Sequence, residues 1–386
     1  MAGGRRNYGI AAGLLVLLAI GASVLPSALW ACLLAAVLGL AGVVLLRGNR
    51  WRTGALLATA LAVSLALLDA VAGFLTPTPI GQGLVRTTDP KWWPPPDPTL
   101  GFRPLPNSQA IATVTFGPET VYRRTYHFDD SAARVTPPGP AGSDTYLFLG
   151  DSFIFGQGLP DDQSLAAQFA KVNDYAVRTV NLGVPGYGPN HLVRASEAGL
   201  LDRYVGQSVK AVVSWIIPAH LARVTGDGSW LGSSPRYVLE DGKLRHTGSF
   251  NEYRWTHPLA GLKYLLGEQF LFVDAIGMRQ RQEEQADLFV ALMARLQLLV
   301  REKFGAPLIV VYSWPDETSQ ASYGASSDFL VTVLNRLRKL GIPLVSVDRL
   351  TSTTDLSLLL IPHDGHPTAY TYELIAGELT RRLKAP

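Results

Sequence analysis

Three segments near the start of the chain consist almost entirely of apolar residues. They cover residues 8–25, 28–46 and 54–75, and the third contains one acidic residue, Asp69. Each segment is long enough to cross a bilayer as a helix and contact membrane lipid. No site of small residues followed by polar sequence indicates a cleavable signal peptide. The pattern therefore predicts an N-terminal anchor of three transmembrane helices over residues 1–75.

Arginines flank these segments unevenly. Arg5 and Arg6 precede the first segment, and Arg47, Arg50 and Arg52 lie between the second and the third. Because cytoplasmic loops carry an excess of Lys and Arg, both positions are expected on the cytoplasmic side. We therefore expect a multi-pass protein of the inner (plasma) membrane with a periplasmic or otherwise extracytoplasmic C-terminal domain.

Residues 76–140 begin with a proline-rich stretch and continue with a stretch of alternating apolar and polar residues. Prolines are dense up to residue 98 and surround the pair Trp92-Trp93, a composition that favours extended backbone over helix. Residues 110–128 then alternate apolar and polar side chains, as half-buried strands do. The segment is expected to be a Pro-rich linker followed by a β-rich lead-in.

Short apolar strands alternate with amphipathic helices over residues 141–386. The predicted strands are residues 146–149, 176–182, 209–217, 307–314 and 343–347. The predicted helices are residues 164–171, 189–201, 283–304 and 326–340, with a last one beginning near Thr368. Such repeats predict a parallel sheet with helices on both faces and a ligand site at the carboxyl ends of the strands. Residues 222–282 interrupt the alternation and are expected to be an insertion over that edge, where specificity usually resides.

Composition excludes some functions. The 386 residues are 47% hydrophobic and 17% charged, with 34 Lys and Arg against 31 Asp and Glu. The basic residues form no stripe, so no nucleic-acid partner is expected. The single cysteine, Cys32, excludes an intrachain disulfide and a cysteine-based metal cluster.

Two loops carry side chains suited to acyl transfer. The first strand of the α/β region runs into Gly150-Asp151-Ser152, and a serine at such a turn lies among backbone amides that can face an oxyanion. Asp and Ser are also the preferred helix caps, so this motif alone supports either role. The loop His363-Asp364-Gly365-His366-Pro367, before the last helix, offers the imidazole and the carboxylate that activate a serine.

Three motifs in order resemble the SGNH (GDSL-type) hydrolase family. They are Gly150-Asp151-Ser152, Asn181-Leu182-Gly183-Val184-Pro185-Gly186-Tyr187-Gly188 and Asp364-Gly365-His366-Pro367. The resemblance covers residues 146–384 apart from the insertion, and it implies a flavodoxin-like three-layer α/β/α sandwich. The family contains esterases, lipases, carbohydrate O-deacetylases and, among membrane-tethered relatives, O-acetyltransferases of exopolysaccharides. No cofactor and no metal are expected.

The resemblance also implies roles by matched position. Ser152 would be the nucleophile, His366 the general base and Asp364 the carboxylate that orients it. The backbone amides of Ser152 and Gly186 would form part of the oxyanion hole.

Two departures from the family pattern concern the same site. The Gly-x-Asn-Asp block that usually follows the third strand is absent, and the chain reads Pro218-Ala219-His220 there. Asn190 or His220 is the expected substitute for the missing asparagine donor. The spacing Asp-x-His is one residue shorter than the usual Asp-x-x-His, and this shorter form is similar to that of carbohydrate-acetylating relatives.

The expected function is a membrane-anchored serine acyl esterase or O-acyltransferase that acts on an O-acylated envelope carbohydrate or a small ester. The residues do not choose between water and a sugar hydroxyl as the acyl acceptor. A transferase needs an activated acyl group from across the membrane, and three short spans are too few to carry one. A membrane acyl-carrier partner is therefore expected in that case.

The missing asparagine also favours an alternative from another class, a carbohydrate-binding or scaffold protein of a polysaccharide assembly that has lost turnover. Five aromatic residues are suited either to stacking on sugars or to filling a core: Trp215, Trp230, Tyr237, Trp255 and Trp314. A short distance between serine and histidine would indicate an enzyme. A metal hydrolase is disfavoured because the histidines lack ligand spacing, and a transporter because three spans leave little room for a substrate path.

Overall fold

The computed structural model describes residues 2–24, 28–75, 83–91, 93–269, 278–313, 327–352 and 354–384. Two units divide the chain. The first consists of Met1–Pro77 and His257–Gln280, and the second of Thr78–Thr256 and Arg281–Pro386. Residues 83–140 thus belong with the α/β region, and part of the predicted insertion belongs with the apolar N-terminal helices.

The first unit is helical. Its first three helices are α1 (Ala2–Val24), α2 (Ala28–Leu45) and α3 (Asn49–Leu75). The side chain of Asn7 fixes the turn between α2 and α3, because its Nδ2 donates to the Arg47 carbonyl (2.6 Å) and its Oδ1 accepts from the Arg47 amide (3.0 Å). The rings of Tyr8 and Trp51 pack edge-on, 5.2 Å apart.

The expected anchor of three transmembrane helices is wrong for the described residues. Only Asn49–Phe74, within α3, is both long and apolar enough to span a membrane there. The other two apolar stretches, Asn7–Leu18 and Trp30–Leu45, are shorter than 18 residues. A membrane-spanning helix needs about 20 predominantly apolar residues. Leu25, where the first predicted span ends, lies outside the described residues.

The second unit begins with a three-stranded antiparallel sheet. Its strands are β1 (Leu84–Asp89), β4 (Gln109–Phe116) and β5 (Glu119–His127), in the order β1-β4-β5. A short pair, β2 (Pro96–Asp97) and β3 (Gly101–Phe102), lies between β1 and β4 in the chain. The two longer strands occupy the stretch whose side chains alternate in the sequence. Their inward side chains, Val114 and Tyr122, share a core with Phe148 of the main sheet, so this lead-in sheet is part of the α/β unit.

A five-stranded parallel sheet forms the centre of the second unit. Its strands are β6 (Thr145–Gly150), β7 (Arg178–Gly183), β8 (Val209–Ile216), β11 (Leu308–Tyr312) and β12 (Leu344–Ser346). They lie in the order β12-β11-β8-β6-β7, and all neighbours are parallel. This is the flavodoxin-like order, in which the connections reverse direction on either side of β6. The expected α/β architecture is confirmed.

Helices cover both faces of this sheet. They are α4 (Ser152–Phe155), α5 (Leu165–Val172), α6 (Pro189–Glu197), α7 (Ala219–Arg223), α8 (Phe250–Thr256), α10 (Met278–Phe304), α11 (Ser327–Lys339), α12 (Val347–Thr351), α13 (Leu356–Leu359) and α14 (Ala369–Lys384). Alternate strand residues point to opposite faces. Leu147 and Leu149 therefore join the core beneath α6, α10 and α11, while Phe148 joins the core beneath α5 and α14.

The insertion that breaks the alternation is itself structured. It contains the hairpin of β9 (Pro235–Glu240) and β10 (Lys243–Ser249), followed by α8 and then by α9 (Pro258–Gln269). A short 3₁₀ helix, Ser229–Leu231, precedes the hairpin. The α/β pattern resumes with α10, as the sequence predicts.

Candidate active site

The turn after β6 places a serine at the point where the sheet changes direction. Asp151 caps α4, since its side chain accepts a hydrogen bond from the Phe153 amide at 2.9 Å. Ser152 is the first residue of that helix and is 5% exposed. The two roles expected for this motif, helix cap and nucleophile, therefore fall to different residues. Asp151 is the cap, and Ser152 is free to act as the nucleophile. Ligands of doubly wound sheets bind at this switch point.

The structure brings Ser152, His366 and Asp364 together. The Ser152 hydroxyl lies 2.8 Å from Nε2 of His366, and Nδ1 of the same ring lies 2.6 Å from Oδ2 of Asp364. Serine and histidine are 214 positions apart in the chain. The hydroxyl can donate to Nε2 only if the ring carries its proton on Nδ1, and a carboxylate at Nδ1 stabilises that tautomer.

The short Asp-x-His spacing works because the loop turns sharply between the two side chains. Gly365 has φ +76° and His363 has φ +62°, both in the left-handed region. The His363 ring stacks on Phe116 of β4, with centroids 4.2 Å apart. The amide of Ile361 donates to the His366 carbonyl at 2.8 Å, which closes the loop. Left-handed backbone at Gly365 lets two residues so near in sequence present neighbouring side chains.

A fourth residue, the positively charged Arg86 of β1, completes the site and is not evident from the sequence. Its guanidinium donates to Oδ1 of Asp364 at 2.7 Å, while His366 binds the other oxygen. The Asp364 side chain has no exposed surface. Burial by itself raises the pKa of Asp364, but the hydrogen bond to His366 and the Arg86 charge outweigh it and leave the pKa below its usual value. Asp364 is therefore ionised at neutral pH.

The predicted oxyanion amides lie on two segments that are joined to each other. The Val184 amide donates to the Gly150 carbonyl at 3.0 Å, so the loop after β7 lies against the nucleophile turn. Arg223 adds a second connection, since its Nη1 donates both to Asp151 (2.8 Å) and to the Tyr187 carbonyl (2.7 Å). Gly186 lies between these attachments with φ +91°. This bracing positions the Gly186 amide relative to Ser152.

Neither side chain expected to replace the missing asparagine is free to do so. Asn190 is fully buried, and its Nδ2 donates to the Pro235 carbonyl at 2.8 Å. His220 binds Asp151 through Nε2 at 3.0 Å, and its Nδ1 accepts from the Ile217 amide at 3.4 Å. Both side chains therefore hold neighbouring segments in place through these hydrogen bonds.

Asp151, His220 and Arg223 form a buried cluster behind the nucleophile. Burial alone raises the pKa of Asp151, but the His220 and Phe153 hydrogen bonds and the Arg223 charge hold it well below its usual range. Burial, reinforced by the Arg223 charge, lowers the pKa of His220. An ionised aspartate therefore accepts from a neutral imidazole and a guanidinium, and the cluster fixes the residue that precedes the nucleophile.

A buried arginine, Arg134, organises the chain just after the nucleophile. Arg134 donates to three backbone carbonyls, those of Phe155 (2.5 Å), Gly156 (2.8 Å) and Leu159 (2.6 Å). It also pairs with Asp161 at 2.8 Å, and its side chain has no exposed surface. The guanidinium thus ties together the backbone from the end of α4 to Leu159, where the Phe155 carbonyl also accepts from Asn181 and the Gly156 carbonyl from the Leu159 amide.

The remaining histidines occupy separate environments. His191 is buried against Tyr187, with ring centroids 4.2 Å apart, and its Nδ1 accepts from the Gly188 amide. Burial lowers the pKa of His191 to about 3, so the ring is neutral. No cluster of three or more His, Cys, Asp or Glu suited to a metal ion occurs among the residues that the structure describes.

Solved structures that match the chain are esterases and lipolytic enzymes. One is a lipolytic protein of the G-D-S-L family from Veillonella parvula DSM 2008, with 10% identity, 62% of this chain and 97% of that chain covered, and a TM-score of 0.39. Another is the acetylxylan esterase Axe2 from Geobacillus stearothermophilus, with 13% identity, coverages of 65% and 98%, and a TM-score of 0.35. A third is a carbohydrate acetylesterase family member from Sinorhizobium meliloti, with 12% identity, coverages of 62% and 98%, and a TM-score of 0.37.

The likeness to these structures carries no argument about the activity or substrate of this chain. The second unit has a flavodoxin-like α/β fold by its own strand order. No protein-family model matches the chain. No curated protein matches it either. The activity of this unit is therefore inferred from its own site.

Proposed function

We propose that the protein is a serine acyl-transfer enzyme, an esterase or an O-acyltransferase. The observation that supports this most directly is the continuous hydrogen-bonded chain from the Ser152 hydroxyl through His366 to Asp364. A protein that only binds carbohydrate has no need for a serine within 2.8 Å of an oriented imidazole. The geometry thus favours an enzyme over the scaffold alternative.

The first half of the reaction forms an acyl-serine. Oγ of Ser152 attacks the carbonyl carbon of the ester while its proton passes to Nε2 of His366. The amides of Ser152 and Gly186 face the oxygen that gains negative charge. When the tetrahedral intermediate collapses, the bond to the alcohol oxygen breaks, and His366 returns the proton to that oxygen.

The second half releases the acyl group. Water or a sugar hydroxyl gives a proton to His366 and attacks the acyl carbon, and collapse restores the Ser152 hydroxyl. Water as acceptor yields a carboxylic acid, and a sugar hydroxyl yields a new ester. Throughout, Asp364 stabilises the imidazolium, and Arg86 keeps Asp364 ionised.

The proposed substrate is an O-acylated envelope carbohydrate outside the cytoplasm. The apolar helix Asn49–Phe74 supports membrane attachment, since only 17% of its most apolar window is buried. Arg47 precedes this helix, and Arg50 and Arg52 lie in its first turn, so its start is proposed to face the cytoplasm. A single span of this orientation places the α/β unit on the far side of the membrane. A transferase would need a separate membrane protein to deliver its acyl group.

The test is hydrolysis of p-nitrophenyl acetate by the full chain in detergent, with and without an oligosaccharide acceptor. Wild type should release nitrophenol, and Ser152→Ala and His366→Ala should each lower kcat by at least about a thousandfold. Ser313→Ala is a matched control, because Ser313 only accepts a hydrogen bond from the Trp215 indole. Acetyl on the oligosaccharide would indicate a transferase. A folded wild type as inert as Ser152→Ala would refute the proposal.

A further inference from the structure

The five aromatic residues considered for sugar stacking occupy different environments. Trp215 and Tyr237 are buried, at 1% and 3% exposure, and therefore fill the core. Trp230 is 52% exposed and Trp255 is 86% exposed. Trp314 lies outside the described residues. The two exposed indoles are the ones whose surfaces remain open to a ligand.

Trp230 lies directly against the oxyanion loop. Its Nε1 donates to the Gly186 carbonyl at 3.3 Å. A Cβ added to Gly186 would lie 2.9 Å from that nitrogen, and one added to Gly228 would lie 3.1 Å from the far edge of the ring. The indole is thus seated between two glycines, which fix the ring while half of its surface stays open to solvent.

Gly186 connects this ring to the reacting centre. Its amide is one of the two proposed oxyanion donors, and its loop is tied to Gly150 and to Asp151 by the hydrogen bonds described above. A substrate whose carbonyl oxygen reaches the Gly186 amide therefore has its neighbouring atoms beside Trp230. An acetyl group ends at its methyl carbon, so the group that reaches the ring is the alcohol part of the ester.

We infer that Trp230 is the stacking surface for the sugar ring of an O-acylated saccharide, an inference that rests on the proposed function. The negative face of an indole attracts the weakly positive C–H bonds on the face of a pyranose. The hydroxyl groups at the sugar rim meanwhile stay in water. A rigid, half-exposed indole suits such a ligand better than it suits a hydrophobic core.

The experiment compares two substrates across three tryptophan variants of the full chain in detergent. The substrates are p-nitrophenyl acetate and chemically O-acetylated cellotetraose. Trp230→Ala should lower kcat/KM for the saccharide about tenfold more than kcat/KM for the nitrophenyl ester, mainly through KM. Trp230→Phe keeps an aromatic face and should recover most of the saccharide activity. Trp255→Ala, at the other exposed tryptophan among the five aromatic candidates, should leave kcat/KM unchanged for both substrates.

A binding measurement tests this inference independently of the proposed function. Acetylated cellotetraose should bind the Ser152→Ala protein by calorimetry, and adding Trp230→Ala should weaken that affinity about tenfold even if wild type proves inactive. Equal losses on both substrates would overturn the inference, because Trp230 would then only support the Gly186 turn. A loss confined to p-nitrophenyl esters of longer acids would also overturn it, since the indole would then contact the acyl chain. Unchanged affinity and unchanged kinetics would refute it outright.

Discussion

Replacing Arg134 by methionine should sharply destabilise the α/β unit. The substitution keeps an apolar stem of similar length but removes the donors to the carbonyls of Phe155, Gly156 and Leu159. It also removes the partner of Asp161 and the cation above the rings of Tyr126 and Phe155, 4.5 and 4.6 Å from their centroids.

The size of the effect can be worked from these contacts. The Leu159 carbonyl loses its donor, whereas the Phe155 carbonyl keeps one from Asn181 and the Gly156 carbonyl keeps one from the Leu159 amide. Loss of the three charge-assisted hydrogen bonds together costs roughly 3 kcal/mol. Loss of the ion pair and the ring contacts adds about 1–2 kcal/mol. The total of about 4–5 kcal/mol agrees with the cost of breaking a buried charge pair. In a unit of this size it corresponds to a fall in Tm of about 10 °C.

The assay is thermal unfolding of the full chain in detergent, followed by tryptophan fluorescence. Arg124→Met is the matched control, because Arg124 donates through Nε to a single carbonyl beyond α4, that of Gly158, and should lose no more than about 3 °C. Arg134→Lys should be intermediate, since an ammonium lacks the planar fork that reaches several carbonyls. If Arg134→Met melts within 3 °C of wild type, the carbonyls are satisfied without the guanidinium and the reasoning is wrong.

Three further results are expected from the site. Asp364→Asn should lower kcat on p-nitrophenyl acetate by about 10⁴, because the ring of His366 loses the partner that selects its tautomer; a loss under tenfold would contradict this role. Arg223→Gln should lower kcat by about 10–100-fold with a smaller change in KM, because the Gly186 loop and the nucleophile turn lose the arginine that hydrogen-bonds to both. Activity equal to that of wild type would show that these hydrogen bonds are unimportant for catalysis. Asp151, whose pKa is lowered on folding, stabilises the protein fully above its unfolded pKa of about 3.9 and loses that contribution as pH falls towards the folded value. The Tm difference between wild type and Asp151→Asn should therefore stay constant above about pH 5 and narrow below about pH 4. A difference that widens in acid would contradict the conclusion that ionised Asp151 stabilises the fold.

The sequence predicts the α/β sheet well because each strand is buried. Seven of the nine residues of 209–217 are apolar, a nearly continuous run that is typical of a parallel strand covered by helices on both faces. The observed strand, Val209–Ile216, ends within one residue of the prediction. Strand order then follows from the resemblance, and it places Ser152 at the switch point.

Unlike the strands, the charged residues that support the site could not be predicted from local sequence patterns. Arg86, Arg134 and Arg223 act through contacts with other segments of the chain. Arg86, for example, is 278 positions from its partner Asp364. No local periodicity marks such pairs. The direction of a side chain is equally hidden in the sequence, which does not show that Asn190 binds the Pro235 carbonyl and His220 binds Asp151.

The contact between Arg86 and Asp364 joins the start and the end of the α/β unit. During translation β1 is synthesised early, whereas Asp364 and His366 are among the last residues to be added. Arg86 therefore has no such partner until 278 further residues have been added. The serine hydroxyl of Ser152 likewise lacks its proposed base until His366 has been added. The proposed acyl transfer thus requires the chain through His366, and a premature stop before that residue yields a protein with an intact serine and no base to activate it.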